Sequence, residues 1–260
     1  MFKSFTTSQT KPTSYREEIT SRKELYRPYV TDGLKVYYDF ANRASQQSGI
    51  ARAYNLASDE ATATHYNSPT YTVDGALTHM LYDGVDDYSR TGTFTNNATD
   101  FVTIEAVMSF GNFTDTEFVF QTTGNTNYIW KTAAGSGEIG QIGVGTGSGE
   151  MFGMFGSDWN AAGVTADINN FNHIVFVMGD NSSKAKIYVN GVQQTLQFTR
   201  GVLNGNVRDV STWDEWSMGG STSGTVPANI GLADFKIYDR ELSAREVAYN
   251  YGVAKSRKGV

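Results

Sequence analysis

The chain has 260 residues, of which 39% are hydrophobic and 13% aromatic, with 27 glycines and 4 prolines, a composition typical of one large domain of many short strands. It contains no cysteine, which excludes disulfides, thiolate metal sites and cysteine nucleophiles. The formal net charge is −6 at pH 7, and no run of ~18 apolar residues is present to form a membrane span.

The charge is unevenly distributed along the chain. Residues 1–30 hold six basic and three acidic side chains, and the last six residues add three basic ones, so the acidic charge is concentrated in the body. A duplex needs a basic face, and nucleic acid is therefore not an expected partner. Basic ends on an acidic body favour contact with an acidic protein surface, including that of another copy, and we expect a homo-oligomer or a multi-copy assembly.

Residues 1–30 are interpreted as an N-terminal anchoring arm. They show no sustained periodicity up to Thr20, and residues 15–26 could form a short helix on a partner. The arm also lacks the apolar core of a signal peptide, so we expect synthesis and folding in a cytoplasm. The side chains expected to contact a partner are aromatic, aliphatic or basic: Phe2, Phe5, Tyr15, Arg16, Arg22, Leu25 and Tyr26.

Residues 31–252 are predicted to form one β-rich domain. Residues 42–66 are polar and are expected to be a long irregular connection, and the glycine-rich residues 135–149 indicate a bulged strand. Asn190-Gly191 is a common two-residue hairpin turn. The other predicted strands are short and alternate in polarity or are bounded by turn residues: 34–39, 77–82, 102–110, 117–121, 126–132, 172–178, 184–189, 193–198, 216–219 and 232–238.

A short helix is predicted after Ser243. Ser243 and Glu246 have the spacing of a capping box, in which each side chain accepts a hydrogen bond from a free backbone N–H at the start of a helix. Residues 253–260 contain three basic side chains and are expected to form a basic C-terminal tail.

Four segments together resemble one known family. They are GLKVYYDF at 33–40, LYDGVDDY at 81–88, NHIVFV at 172–177 with KIYVNG at 186–191, and ADFKIYDR at 233–240. In this order they resemble the laminin-G-like domains of the concanavalin A-like lectin/glucanase superfamily, over about residues 31–251. The resemblance implies an all-β fold: a two-sheet antiparallel β-sandwich of the jelly-roll type, here with an extended N-terminal arm and a short C-terminal helix.

The sequence does not predict an enzyme. Glycosidases of this superfamily carry two carboxylates ~5 Å apart on one strand face, and no ExDxE or ExDxxE run occurs. Asp214 and Glu215 are adjacent and would point to opposite faces of a strand. There is no GxSxG elbow and no phosphate-binding GxxxxGK[ST] loop. His173 is expected to be structural, and His65 and His79 lack metal-binding spacing.

Calcium is the one cofactor that the sequence leaves open. Some related folds bind Ca²⁺ at the rim of the sandwich through carboxylates and carbonyl oxygens, which a hard cation prefers. The weak candidates are Asp86, Asp180 and Asp209, with Asp87, Asn181 and Asp214 also in predicted loops, and they show no ordered ligand spacing.

A sugar site would need an exposed aromatic ring beside planar polar groups. Trp159 in the segment GSDWN is the first candidate, with Asp158 beside it and Trp213 next, whereas Trp216 is assigned to the core. An exposed tryptophan anchors protein interfaces as often as it stacks on sugars, so both roles stay open.

The resemblance implies two functions. Because laminin-G-like domains occur in bacteriophage particles, the first hypothesis is a virion structural protein: a capsid decoration, head fibre or tail component. It would be made in the host cytoplasm, bound to other virion proteins through residues 1–30, and would present the sandwich to host surface glycans. The alternative is a free carbohydrate-binding module or adhesin without catalytic activity.

Overall fold

The structure is a computed structural model and describes residues 28–46, 49–73, 77–113, 117–123, 127–132, 141–148, 150–159, 161–180, 184–200 and 209–260. The side chains predicted to anchor the arm lie outside the described residues: Phe2, Phe5, Tyr15, Arg16, Arg22, Leu25 and Tyr26.

The described residues form seventeen strands and one α-helix, α1 (Ala244–Lys258). In chain order the strands are β1 (Leu34–Asp39), β2 (Arg52–Ala53), β3 (Ala63–Tyr66), β4 (Thr70–Thr72), β5 (His79–Asp83), β6 (Tyr88–Arg90), β7 (Phe101–Phe110), β8 (Glu117–Thr122), β9 (Asn127–Thr132), β10 (Gln141–Ser148), β11 (Glu150–Asp158), β12 (Asp167–Gly179), β13 (Lys186–Val189), β14 (Val192–Gln193), β15 (Gln197–Arg200), β16 (Trp216–Met218) and β17 (Asn229–Tyr238).

The strands form two antiparallel sheets, which confirms the predicted all-β sandwich. Sheet 1 has the order β14-β13-β12-β7-β17-β5-β4, and β1 pairs with β17 beside β5. Sheet 2 has the order β15-β11-β10-β9-β8-β16-β6-β3-β2. Among the described helices, none is long and apolar enough to cross a membrane.

The main core lies between the two sheets. Phe120 of sheet 2 and Phe235 of sheet 1 are both fully buried, with ring centroids 4.9 Å apart, and Trp216 and Phe176 belong to the same cluster. Burial of each such side chain contributes about 1.5–3 kcal/mol relative to exposure. This interior therefore fixes the relative position of the two sheets.

The outer face of sheet 1 is covered by α1. Val247, Val253 and Ala254 of the helix are buried in two smaller clusters with apolar side chains of β7, β12 and β17. The central strands of sheet 1 are therefore buried on both faces, which explains why β7 is buried from its second residue to its last.

The start of α1 is as predicted, but its end is not. The Ser243 side chain accepts a hydrogen bond from the N–H of Glu246, whose side chain accepts one from the N–H of Ser243, completing the capping box. The helix then continues to Lys258 and ends at Gly259, which has a left-handed φ of 75°. Residues expected to form a basic tail thus form the last turns of the helix, and the Lys258 ammonium lies 2.5 Å from Asp39.

The described end of the predicted arm belongs to the domain. The Tyr29 side chain is only 4% exposed and packs under α1 against sheet 1. Its hydroxyl donates to Asp234 at 3.1 Å, and the Lys236 ammonium lies 3.6 Å from the centre of its ring. Val30 N–H also donates to the Asn250 side chain at 2.9 Å. Tyr29 and Val30, assigned to the arm from the sequence, therefore pack on the domain.

The predicted hairpin turn is confirmed, whereas the segment predicted to be irregular contains strands. Asn190 and Gly191 have φ angles of 49° and 79° between β13 and β14, as a two-residue hairpin turn requires. The polar segment 42–66, predicted to be irregular, contains all of β2 and β3. These strands are two and four residues long and lie at the end of sheet 2, where Ala53 and Ala63 are buried in the main core.

Candidate ligand-binding site

A cleft of about 320 Å³ opens at the edge where both sheets end. Here the chain passes from β3 in sheet 2 to β4 in sheet 1, so residues 67–69 bridge the two layers. The lining combines small apolar groups with planar or hydroxyl-bearing polar ones: Gln46, Gly49, Ile50, Ala51, His65, Asn67, Ser68, Pro69, Tyr71 and Met80. This mixture, at the lower end of the usual ~300–1,000 Å³ range, is typical of a small-molecule site.

Strand β3 directs His65 inward and Tyr66 outward. Its burial alternates along the strand, with Ala63 and His65 buried and Tyr66 37% exposed. Tyr66 stacks on Tyr88 of the neighbouring strand at 4.7 Å between ring centroids. The cleft and this tyrosine pair therefore lie on opposite faces of sheet 2.

A chain of hydrogen bonds holds His65 in one tautomer. Its Nε2 lies 2.9 Å from the Gln46 carbonyl Oε1, which can only accept, so Nε2 carries the proton. Nδ1 then accepts from the Ser89 hydroxyl at 2.6 Å, and Ser89 accepts from the Tyr82 hydroxyl at 2.9 Å. Burial lowers the pKa of His65 to about 4, so the ring is neutral at pH 7.

The lip of the cleft has a strained backbone. Asn67 and Ser68 have φ angles of 60° and 76°, and two consecutive non-glycine residues in the left-handed region are uncommon. Such conformations cost of order 1–3 kcal/mol each and occur often at binding sites. Asn67 Nδ2 donates to the Asp86 carbonyl at 2.8 Å, which joins this lip to the β5–β6 turn.

Three carboxylates gather on that turn. Oxygens of Asp83, Asp86 and Asp87 lie within 4.8 Å of one another, and this is the one acidic or metal-ligating cluster of three or more found in the part of the chain that the structure describes. Burial, Asp83 and Asp86 raise the pKa of Asp87 to about 6, although a hydrogen bond from the Asp83 N–H opposes the shift. We refer to Asp83, Asp86 and Asp87 as the acidic turn.

The three predicted calcium candidates are not brought together. Asp86 lies in the acidic turn, whereas Asp180 is 2.7 Å from the Lys184 ammonium and Asp209 accepts from the Ser211 N–H at 3.0 Å. The last two carboxylates therefore have structural partners of their own. Asn181 lies outside the described residues.

The predicted sugar platforms differ in their exposure. Trp213 is only 2% exposed and packs edge-on against Trp216 in the main core, so it offers no ring face to a sugar and this prediction is wrong. Trp159 is partly buried and stacks on Phe113 at 4.1 Å between centroids, at the end of β11 beside Asp158. Neither tryptophan lines the cleft.

A buried charge cluster, which the sequence reading missed, lies between sheet 1 and α1. Glu105 and Lys236 are fully buried with Nζ–Oε1 at 3.1 Å, Lys236 also pairs with Asp234 at 2.9 Å, and Asn250 of α1 donates to Glu105 at 2.6 Å. Burial opposes ionisation of Glu105, but Lys236, His173 and Asn250 outweigh it and lower its pKa to about 2. With no exposed surface, the cluster ties α1 to the sheet and is not accessible to a ligand.

Comparison with known proteins supports the fold and gives a family. Residues 83–248 match the model of the Laminin_G_3 family, described as the Concanavalin A-like lectin/glucanases superfamily. No curated protein matches the sequence.

Among solved structures, similar folds occur in toxin domains and in a sialidase. The receptor binding domain of botulinum neurotoxin mosaic serotype C/D superposes with a TM-score of 0.61 at 9% identity, covering 85% of this chain and 51% of that chain. The serotype D ligand binding domain in complex with N-acetylneuraminic acid gives 0.58 at 11% identity, with coverage of 85% and 51%. Trypanosoma rangeli sialidase, as a covalent intermediate with 2,3-difluorosialic acid, gives 0.53 at 12%, with coverage of 86% and 33%. This chain thus spans about half the length of the neurotoxin domains, and identities this low show the fold alone.

Proposed function

Since the chain belongs to the concanavalin A-like lectin/glucanase superfamily, we propose that it is a non-catalytic carbohydrate-binding protein that holds its glycan in the cleft between β3 and β5. The observation that carries the proposal is the lining of the cleft. Tyr71 supplies an aromatic ring, Asn67 and Ser68 supply hydrogen-bonding groups at the lip, and Ile50 and Pro69 supply apolar contacts. Sugars offer the same alternation of C–H faces and hydroxyl groups.

The positions of the carboxylates favour binding over hydrolysis. A retaining glycosidase needs two carboxyl groups ~5 Å apart on either side of the bound sugar. The paired carboxylates Glu105 and Asp234 are fully buried, and the acidic turn does not line the cleft. Incubation of the protein with the glycan it binds, followed by chromatography, should show no cleavage; cleavage that disappears in Asp87→Asn would instead establish an enzyme.

The binding proposal is tested by a glycan array followed by calorimetry on the best ligand. We expect Tyr71→Ala to weaken binding by about tenfold or more, because loss of an aromatic contact costs ~1–2 kcal/mol. Tyr66→Ala is the matched control, since it removes the tyrosine directly before the lip but on the opposite face of sheet 2. Thermal unfolding must show that both variants are folded.

The tryptophan at the end of β11 provides the competing site. If Asp158 and Trp159 form the binding site, Trp159→Ala should abolish binding while Tyr71→Ala leaves it intact. That pattern would refute the cleft assignment and retain the carbohydrate-binding function. Absence of binding to every glycan on the array would refute the function itself.

We further infer that the module is displayed on a larger particle, as a bacteriophage virion component anchored by its first residues. Support comes from the basic and aromatic side chains of residues 1–27, which precede an acidic body. Deletion of residues 1–27 should leave unfolding temperature and glycan affinity unchanged but abolish incorporation into particles. Normal incorporation of the truncated protein would contradict this role.

A further inference from the structure

We propose that the cleft selects uncharged saccharide units and that the acidic turn beside it excludes anionic sugars such as sialic and uronic acids. This inference rests on the proposed carbohydrate-binding function and names the ligand class of the same site. It depends on three features: the lining of the cleft, the position of the acidic turn, and the absence of an ion pair between that turn and any lysine or arginine that the structure describes.

The lining of the cleft carries no formal charge. No lysine, arginine, aspartate or glutamate is among its lining residues, and its single titratable imidazole, His65, is held neutral by burial and by the Gln46 and Ser89 hydrogen bonds. Recognition of a carboxylate in proteins depends on charge-assisted hydrogen bonds, above all from arginine. The described lining therefore has hydrogen-bonding groups for hydroxyl or amide groups but no cation for an acidic sugar.

The acidic turn lies directly behind the lip. Asn67 donates to the carbonyl of Asp86 at 2.8 Å, so the lip of the cleft and the acidic turn are in contact. Asp83 and Asp86 are exposed, and within the described ranges neither they nor Asp87 form an ion pair with a lysine or arginine. No cation of the described residues therefore pairs with these carboxylates, and their charge disfavours a ligand carboxylate at the lip.

The expected preference for neutral sugars differs from the ligand bound by one structural neighbour. The serotype D neurotoxin domain was crystallised with N-acetylneuraminic acid, an anionic sugar. At 11% identity the likeness of the two folds does not transfer this ligand, and the charge around this cleft predicts the opposite preference.

The experiment compares matched glycans that differ only by one carboxylate. A glycan array first identifies the best ligand; it holds neutral glycans with their sialylated forms, and glucose-containing oligosaccharides with their glucuronate-containing forms. Calorimetry then measures the affinity for both glycans of each matched pair at low and at high salt. We expect the neutral member to bind at least about tenfold more tightly at low salt. Salt should reduce this ratio, since exposed charges are screened over a Debye length of ~10 Å at 0.1 M.

A charge-removing variant assigns the effect to the acidic turn. In Asp86→Asn the neutral-to-anionic affinity ratio should fall by about two- to fivefold, as expected for removing one exposed charge, with affinity for the neutral glycan unchanged. Asp32→Asn is the control, because Asp32 pairs with Arg240, two residues beyond the far end of β17. The near end of this strand, Asn229, pairs with Asp83, and the ten-residue strand is ~30 Å long.

The outcomes separate the two proposals. If the wild-type protein binds the sialylated or glucuronate-containing glycan of a pair as tightly as the neutral one, or more tightly, the proposed exclusion of anionic sugars is wrong. The carbohydrate-binding function would still stand. An unchanged ratio in Asp86→Asn, or an equal change in Asp32→Asn, would also overturn the role of the acidic turn. Absence of binding to every glycan on the array would refute the carbohydrate-binding function, and with it the proposed exclusion of anionic sugars.

Discussion

Glu105 of β7 and Lys236 of β17 form an ion pair beneath α1, with Nζ 3.1 Å from Oε1 and no exposed surface on either side chain. Asp234, two residues before Lys236 on the same strand, is the second anionic partner of the ammonium. Two buried carboxylates thus share one lysine, with Tyr29 and Asn250 adding hydrogen bonds. A buried pair of this kind can contribute little net stability, but removing one partner leaves uncompensated charge.

We therefore predict that Lys236→Met lowers the free energy of unfolding by about 3–5 kcal/mol, because it leaves Glu105 and Asp234 buried without their cation. Urea denaturation followed by tryptophan fluorescence measures the change. Lys35→Met is the control, since Lys35 pairs with Asp239 at 3.0 Å while 25% of its side chain stays exposed, and its loss should cost less than about 1 kcal/mol. Equal effects of the two substitutions would show that the buried lysine has no special role.

The overall fold could be predicted because its signals are local and repeated. The turn at Asn190-Gly191 and the capping box of Ser243 and Glu246 are set by neighbouring residues, and the structure has both as expected. The family resemblance added the pairing of distant strands. Burial of α1 on sheet 1 could not be predicted in this way, because it depends on contacts between residues far apart in the sequence, such as Asn250 with Glu105.

The cleft and the charge cluster were harder to predict. Gln46 and His65 lie in a segment without apolar periodicity, and they meet only because β3 pairs at the end of sheet 2. Two signals were present: the turn residues Asn67-Ser68-Pro69 after His65, and Glu105 within the most apolar strand. A charged residue in such a strand predicts a buried partner, but the sequence alone does not say which lysine it is.

His65 should make stability depend on pH between about 6.5 and 4. Burial lowers its folded-state pKa to about 4, so in this range the unfolded chain binds the proton and the folded protein does not. Stability should therefore fall as the pH falls through this window, by an amount on the order of 3 kcal/mol when complete. Urea denaturation of the wild-type protein and of His65→Gln at pH 7, 5.5 and 4.5 measures the difference. Parallel pH profiles of the two proteins would contradict the assignment.

Asp87 should have the opposite effect. Burial and the neighbouring Asp83 and Asp86 raise its pKa to about 6, so the folded protein binds a proton that the unfolded chain has lost between about pH 4 and 6. Ionised Asp87 is thus destabilising at pH 7, and Asp87→Asn should raise the unfolding temperature there and raise it less at pH 4.5. The asparagine carbonyl can still accept the bond from the Asp83 N–H. A variant that is less stable at pH 7 would show that the carboxylate is needed, for example by a bound cation.

Tyr29 should define where the stable domain begins. Its ring covers the Lys236 ammonium at 3.6 Å and its hydroxyl bonds Asp234, so Tyr29→Ala removes a buried aromatic ring and exposes part of the charge cluster. We expect a loss of about 3–5 kcal/mol in the free energy of unfolding, as for other buried aromatic truncations. For Tyr29→Phe, which removes only the hydrogen bond to a charged partner, we expect a loss of about 1–3 kcal/mol.

Two deletions test the same boundary. Deletion of residues 1–27 leaves these contacts in place and should not change stability, whereas deletion of residues 1–30 should destabilise the protein at least as much as Tyr29→Ala. If both deletions are equally stable, residues 28–30 are dispensable and the domain begins at Thr31, as the sequence alone suggested.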